Sequence, residues 1–228
     1  MRWSLQCARV PIPLFPLHLV LFPGAHVPLH VFEPRYRQMM ADVLGPEDAA
    51  LSDASFGVAC IREGYEVGAP ASTHDVGCVG AVEWVRRHPD GTMDLLVRGT
   101  KRFRITARPP DDPYPRAEVA FLEEPAGPRP QEALRLARSA LDRYLSVVAR
   151  LTGVARSEDA LPDDPTLASY AAAAVLQVEA TRLQQLLETT SASERLALAA
   201  KLARSEAALL DTVGPPVGRP QFDRSTLN

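Results

Sequence analysis

IPLFPLHLVLFPGAHVPLHVFEPRYRQMMADVL, residues Ile12 to Leu44, brings together two apolar runs, two turn signals and a helix start. Leu14 to Leu21 is an apolar run bounded by prolines and reads as a strand, which the turn Phe22-Pro23-Gly24 ends. Val27 to Phe32 reads as a second strand. Glu33-Pro34 then opens a helix, because proline at the first helical position loses no hydrogen bond that the helix needs. Tyr36, Met39, Met40, Val43 and Leu44 follow at helical spacing and make one apolar stripe, with Arg35, Arg37, Gln38 and Asp42 between them. Such a stripe has to lie against a sheet.

Outward from that segment, Gly45 to Ser55 reads as a polar connection and Phe56 to Ile61 as a strand buried on both faces. Gly64 to Asp75 reads as a surface loop. Val76–Arg87 and Thr92–Arg98 flank His88-Pro89-Asp90-Gly91, and Asp-Gly between two β-rich runs predicts a hairpin. Gly99 is expected to bend or bulge the chain before a further strand, Arg102–Thr106, with Phe103 and Ile105 inward and Arg102 and Arg104 outward. After a loop at Pro109–Pro115, Arg116–Leu122 supplies a last strand with Ala117, Val119 and Phe121 toward the core. Short strands with one early helix predict a rolled sheet that closes on itself.

Glu123–Pro130 holds three prolines and one glycine and marks a shift from β-rich to Ala/Leu-rich sequence. The expected organisation is an α+β chain: a β-rich pseudo-barrel over 1–123, a linker at 124–130, a helical bundle over 131–213 and a disordered tail at 214–228. Helices are predicted from Gln131 to Leu151, from Pro165 to about Val178 behind the cap Asp164, and from about Ala180 to Glu188. The capping box Ser191–Glu194 starts another, Ala192 to about Leu210, with Leu196, Ala199, Leu202 and Leu209 facing the bundle.

The formal charge of −3, from 25 basic and 28 acidic residues, gives no electrostatic footprint for nucleic acid. DNA is therefore not an expected partner, and RNA is disfavoured. Cys7, Cys60 and Cys78 have neither disulfide-framework nor zinc spacing, which points to a reducing, cytoplasmic setting. No signal peptide is expected before Pro11, and no apolar run approaches the roughly 20 residues that span a bilayer.

Candidate chemistry is sparse. His18, His26 and His30 lie close in sequence but have no matching carboxylate or thiol cluster, so they read as strand histidines and no metal is expected. No GxxxxGK[ST] loop is present to cradle a nucleotide, and Lys201 with Ser205 reads as an ordinary solvated helix pair. No catalytic residue, cofactor or metal ligand is assigned. The candidate partner-binding residues are Arg35, Tyr36, Trp84, Arg86, Arg87 and Arg102. Arg86-Arg87-His88 and Lys101-Arg102 with Arg104 would make a basic patch for acidic partner segments, against which stands a solvated sheet face that guards an edge. Trp84, Tyr36 and Phe32 would line an apolar groove, although aromatics at such positions more often serve as core. Arg35 is also placed to pair with Glu33 or Glu83.

The run PLFPL, then FPG, then PLHVFEPRY and a methionine resembles the opening of the Lon protease amino-terminal domain family. FGVACIREG from Phe56, VGCVGAVEWVRRHPDGTMDLLVRGTKRFRI from Val76 to Ile105, and the helical part follow in that family's order, to about Leu210. The resemblance implies a PUA-like β pseudo-barrel followed by a helical bundle. It also implies a stand-alone, non-catalytic module that recognises polypeptide segments, here expected through apolar surface between barrel and bundle. RNA binding by the PUA-like barrel is the alternative, and a small-molecule or hydrolytic site in a cleft between the subdomains comes last.

Overall fold

The computed structural model describes residues 10–46, 50–65, 71–110, 113–154 and 161–213. Cys7, the tail expected over 214–228 and the middles of the loops expected near 47–49, 66–70 and 111–112 lie outside them. Among the described residues there are seven strands and five α-helices.

β1 (Val10–Leu17) pairs in parallel with β3 (Ser55–Glu63) and antiparallel with β7 (Arg116–Phe121). β7 pairs with β6 (Met93–Ala107), β6 with β5 (Val76–Arg87), and β5 with β3. The β1–β3 pairing thus closes a ring, as the segment pattern predicts. β4 (Ser72–Thr73) extends β3, and β2 (His26–Val31) pairs with the first half of β6.

The first strand stops at Leu17, short of the expected Leu21. The chain leaves the ladder there to deliver Leu21 to one apolar core and Phe22 to another. The Phe22–Ala25 turn forms as expected: Ala25 N–H donates to the Phe22 carbonyl at 3.0 Å, with Gly24 at φ +82° in the region that favours glycine. α1 (Pro34–Leu44) carries Pro34 in its first turn and buries Tyr36, Met39, Met40 and Leu44, each worth roughly 1.5–3 kcal/mol relative to exposure.

β6 runs through Gly99, and the expected bulge lies beside it: Gly80 is opposite Gly99 and Cys78 opposite Arg102, so β6 carries one extra residue between them. The glycine serves a second need. A Cβ there would lie 2.1 Å from the Phe22 carbonyl oxygen, and Gly99 N–H donates to the Ala25 carbonyl at 2.8 Å. That bond sets the odd-numbered residues of β2 to exchange hydrogen bonds with β6, so the ring nitrogen of Pro28, which has no proton to give, turns to the outer edge of β2. Phe121, expected inward, is half exposed with the Lys101 ammonium 5.9 Å from its ring centre.

The helical part comprises α2 (Pro130–Thr152), α3 (Pro165–Ala174), α4 (Ala180–Glu188) and α5 (Ala192–Val213). Asp164 caps α3 by accepting from Leu167 N–H at 2.8 Å. α3 ends at Ala174 and not near Val178: Leu176 N–H folds back to the Ala173 carbonyl, and the Tyr144 hydroxyl accepts from Gln177 N–H at 3.1 Å. α5 starts on the Ser191/Glu194 pair, whose side chains lie 2.8 Å apart. Its buried face is Leu196, Ala199, Ala200, Ala203 and Ala207, and Leu209, expected inward, is exposed.

Barrel and helices meet at a buried polar joint. Arg102, on β6, is 1% exposed. It donates to both Glu124 carboxylate oxygens, at 2.8 and 3.1 Å, and to the carbonyls of Leu187, Thr189 and Thr190 at the end of α4. Arg195, on α5, is fully buried against the same carboxylate, the Ser169 hydroxyl and the Thr189 carbonyl, with its guanidinium 4.0 Å from the Tyr170 ring centre. Burial, the largest cause, and the neighbouring Arg102 charge both push the Arg195 pKa down. The Tyr170 hydroxyl donates to Glu124, and burial raises its pKa. The apolar surface expected between barrel and bundle is therefore occupied at this joint by salt-bridged and hydrogen-bonded groups.

Candidate functional site

The exposed face of the β2–β6–β5 sheet is made by a register fault. Val82 on β5 lies opposite Val97 and Trp84 opposite Leu96, so Glu83 is an extra residue on β5. A bulge of this kind lets two consecutive side chains share one face. Val82 is buried, and Glu83 and Trp84 are both exposed, Trp84 by 44%.

Pro28 on β2 also lies opposite Leu96, so Pro28, Leu96 and Trp84 form an apolar row across three strands. Phe32, just past β2, is half exposed and stacks at 6.1 Å on His30. Polar clusters border the row on both sides. On one side Glu83 accepts from the Arg98 Nε–H and from His26 Nε2 at 2.9 Å, and these bonds, Arg98's first, hold its carboxyl below the usual range. On the other, Asp94 accepts from His30 Nδ1 at 2.6 Å and from His88 Nε2 at 2.7 Å, and those hydrogen bonds lower its pKa.

His88 is placed by the hairpin loop. Its N–H donates to the Thr92 carbonyl, Gly91 N–H donates to the His88 carbonyl, and Gly91 takes φ +81°. Asp90 accepts from the Thr92 amide at 2.9 Å and hydroxyl at 2.8 Å, which lowers its pKa.

A lowered carboxyl pKa makes the His30–Asp94–His88 contribution to stability fully present above the unfolded aspartate pKa of about 3.9 and lost as pH falls through the lower folded value. Asp94→Asn is accordingly expected to separate from the parent in thermal midpoint above about pH 4 and to converge with it below, as scanning calorimetry across pH would measure. A constant gap down to about pH 2 would show that the carboxylate's charge is not what the histidines hold.

Of the six candidate residues, the structure gathers Trp84, Arg86 and Arg87 on the exposed end of β5. Arg35 stands at the start of α1, with Nη2 3.1 Å from Glu33 and its guanidinium 4.6 Å from the Tyr36 ring centre. Tyr36 is 3% exposed and stacked on Phe15 at 4.3 Å, so it belongs to the core beneath α1. Arg102 does not face solvent as expected, because Glu124 and the α4 carbonyls hold it in the joint. Among the described residues no group of three or more His, Cys, Asp or Glu has metal-binding geometry. Burial pushes the Cys78 thiol up to about 12, which makes it a packing residue.

Residues 11–204 match the model of the ATP-dependent protease La (LON) substrate-binding domain. The chain belongs to that family.

It is 34% identical over 211 residues to the Lon protease of Nitratidesulfovibrio vulgaris, covering 87% of this chain and 24% of that protein. It is 26% identical to the Lon protease of Escherichia coli K12, covering 89% of this chain and 26% of the relative. The chain thus spans about a quarter of the length of these Lon proteases. A Lon N-terminal domain protein from Xanthomonas campestris shares the structure with a TM-score of 0.57 and 29% identity, over 82% of this chain and 95% of that one. The N-terminal domain of a Mycobacterium avium complex Lon protease shares the fold with a TM-score of 0.60 and 19% identity, over 85% and 98%.

Pro28, Leu96 and the two histidine–carboxylate clusters belong to this candidate site of the Lon-family domain, and sequence reasoning did not single them out together. Strand alternation places Trp84 on the inward face with Val82, and the one-residue bulge that reverses it leaves no composition signal. The pairing of His30 and His88 through Asp94 links residues 58 positions apart, and only the strand register brings them together.

Proposed function

We propose that this chain is a non-catalytic polypeptide-recognition module that engages its targets through the outer face of the β2–β6–β5 sheet. One observation carries the reading: the cross-strand row Pro28–Leu96–Trp84, with Pro28 and Trp84 exposed, Leu96 half-buried between them and engaged polar groups on both sides. A tryptophan held out by packed backbone offers a large contact area with little ordering cost, which is the usual make-up of a binding hot spot. Membership of a substrate-binding domain family supports polypeptide as the ligand class. The buried free thiols Cys60 and Cys78 support a reducing, cytoplasmic setting. No helix among the described residues is long and apolar enough to cross a membrane.

The test is capture of a reduced, carboxymethylated unfolded protein on the immobilised chain. Trp84→Ser is expected to reduce retention at least about fivefold, the equivalent of roughly 1 kcal/mol. Because Trp84 is a surface residue, its replacement is expected to change stability by no more than about 0.5 kcal/mol. Equal retention by parent and variant would remove this face as the recognition surface.

A further inference from the structure

The outer face of the β2–β6–β5 sheet is laid out in rows that run across the strands. Its central row is Pro28, Leu96 and Trp84. On one side stand Arg98 of β6 and Glu83 of β5, bonded to each other, and on the other Asp94 of β6 and Arg86 of β5, opposite in register. Along β6 the outward residues are Arg98, Leu96 and Asp94, and along β5 they are Glu83, Trp84 and Arg86. Charge therefore changes sign across the central row on both strands, in opposite order, and with neutral histidines the face has no net charge.

This order is its own complement under one two-fold rotation. Sheets packed face to face keep their strands within about 30° of each other. An axis along the central row lays each strand antiparallel over the same strand of a second copy. Arg98 then comes over Asp94 and Glu83 over Arg86, in both directions, with Trp84 and Leu96 meeting their own counterparts at the centre. An axis along β6 would instead stack Arg98 on Arg98 and Asp94 on Asp94. Bonds within the sheet leave room for the first arrangement. Each oxygen of Glu83 and Asp94 accepts one side-chain bond and has capacity for a second, and exposed Arg86 has no acidic partner within ion-pair distance among the described residues.

We propose that a second copy of this chain occupies the face as a two-fold pair, and that pairing covers the surface that takes polypeptide targets. The pair stands on the strand register, and its regulatory consequence rests on the polypeptide-recognition reading, since target and second copy exclude each other from Trp84. The patch is small: three strands about 4.8 Å apart and five residues about 3.4 Å apart cover roughly 250 Å², against roughly 800 Å² per partner in a standard interface. The pair is accordingly weak, with Kd on the order of 10–100 μM, and its closed symmetry ends it at two copies.

Sedimentation equilibrium of the full chain from roughly 5 to 500 μM, at roughly 50 mM salt, is expected to follow a monomer–dimer equilibrium that weakens severalfold at roughly 500 mM. Arg86→Glu and Glu83→Arg each set like charges against one another across the axis and are expected to weaken association at least about tenfold. In an equimolar mixture of the two variants every such contact is again of opposite sign, and association is expected to recover to within about threefold of the parent. Variants that are merely destabilised would not rescue each other. A parent that stays monomeric, association that runs past the dimer, or a mixture no better than its components overturns the pair. Excess reduced, carboxymethylated unfolded protein is expected to dissociate the parent dimer. Capture of that protein with the dimer fraction unchanged overturns the regulatory role, and association without any capture removes the recognition reading while the pair stands.

Discussion

Arg102→Met is expected to lower the folding free energy by about 3–5 kcal/mol, seen as a large drop in the urea midpoint, because it removes one partner from a buried ion pair. Arg102 supplies donors to both Glu124 oxygens and to three carbonyls where α4 ends. Methionine replaces the volume but none of the donors, and it strips the Glu124 carboxylate and the carbonyl of buried Leu187 of the bonds they had. Arg195 provides the comparison. It shares Glu124, but two buried guanidiniums against one carboxylate leave an excess charge, and its Nε has no partner. Removing Arg195 relieves that repulsion, so Arg195→Met is expected to cost less, about 1–3 kcal/mol. A loss for Arg102→Met no larger than for Arg195→Met would mean that Arg102 does not hold the joint together.

Gly99→Ala is expected to cost about 3 kcal/mol, the upper end for overpacking. Its new methyl would lie 2.1 Å from the Phe22 carbonyl oxygen and 2.8 Å from the carbonyl carbon. These are backbone atoms, and the same turn is tied to Gly99 by the bonds from Gly24 N–H and to the Ala25 carbonyl. No side-chain rotation relieves the clash. Gly24→Ala separates two causes, since a Cβ at Gly24 meets nothing within 4 Å and its cost is only that of a left-handed backbone, about 1–2 kcal/mol. If thermal melts rank Gly24→Ala above Gly99→Ala, the close approach of Phe22 is not the reason for the glycine.

Local chemistry made much of this fold legible. Pro34 in the first turn of α1, the Tyr36–Leu44 stripe, the hairpin around Asp90-Gly91, the Asp164 cap and the Ser191/Glu194 pair act within a few residues of themselves, and each lies where its residues imply. Long-range competition was not legible. Tyr144 captures the amide of Gln177 and ends α3 early, Glu124 and α4 draw Arg102 inward from an alternation that pointed it outward, and a bulge reverses Trp84. The site was half visible for the same reason. Trp84, Arg86 and Arg87 are neighbours in sequence, whereas Pro28 and Leu96 join them only through strand register.

A face that displays a tryptophan beside an unpaired strand edge is also where copies of a protein would zip into fibres. Pro28 interrupts that edge at its middle, since a strand laid alongside β2 would find no donor between His26 and His30. The consequence is that stickiness on this face resides in side chains and not in backbone: a second copy of the chain is refused a continuous ladder along β2.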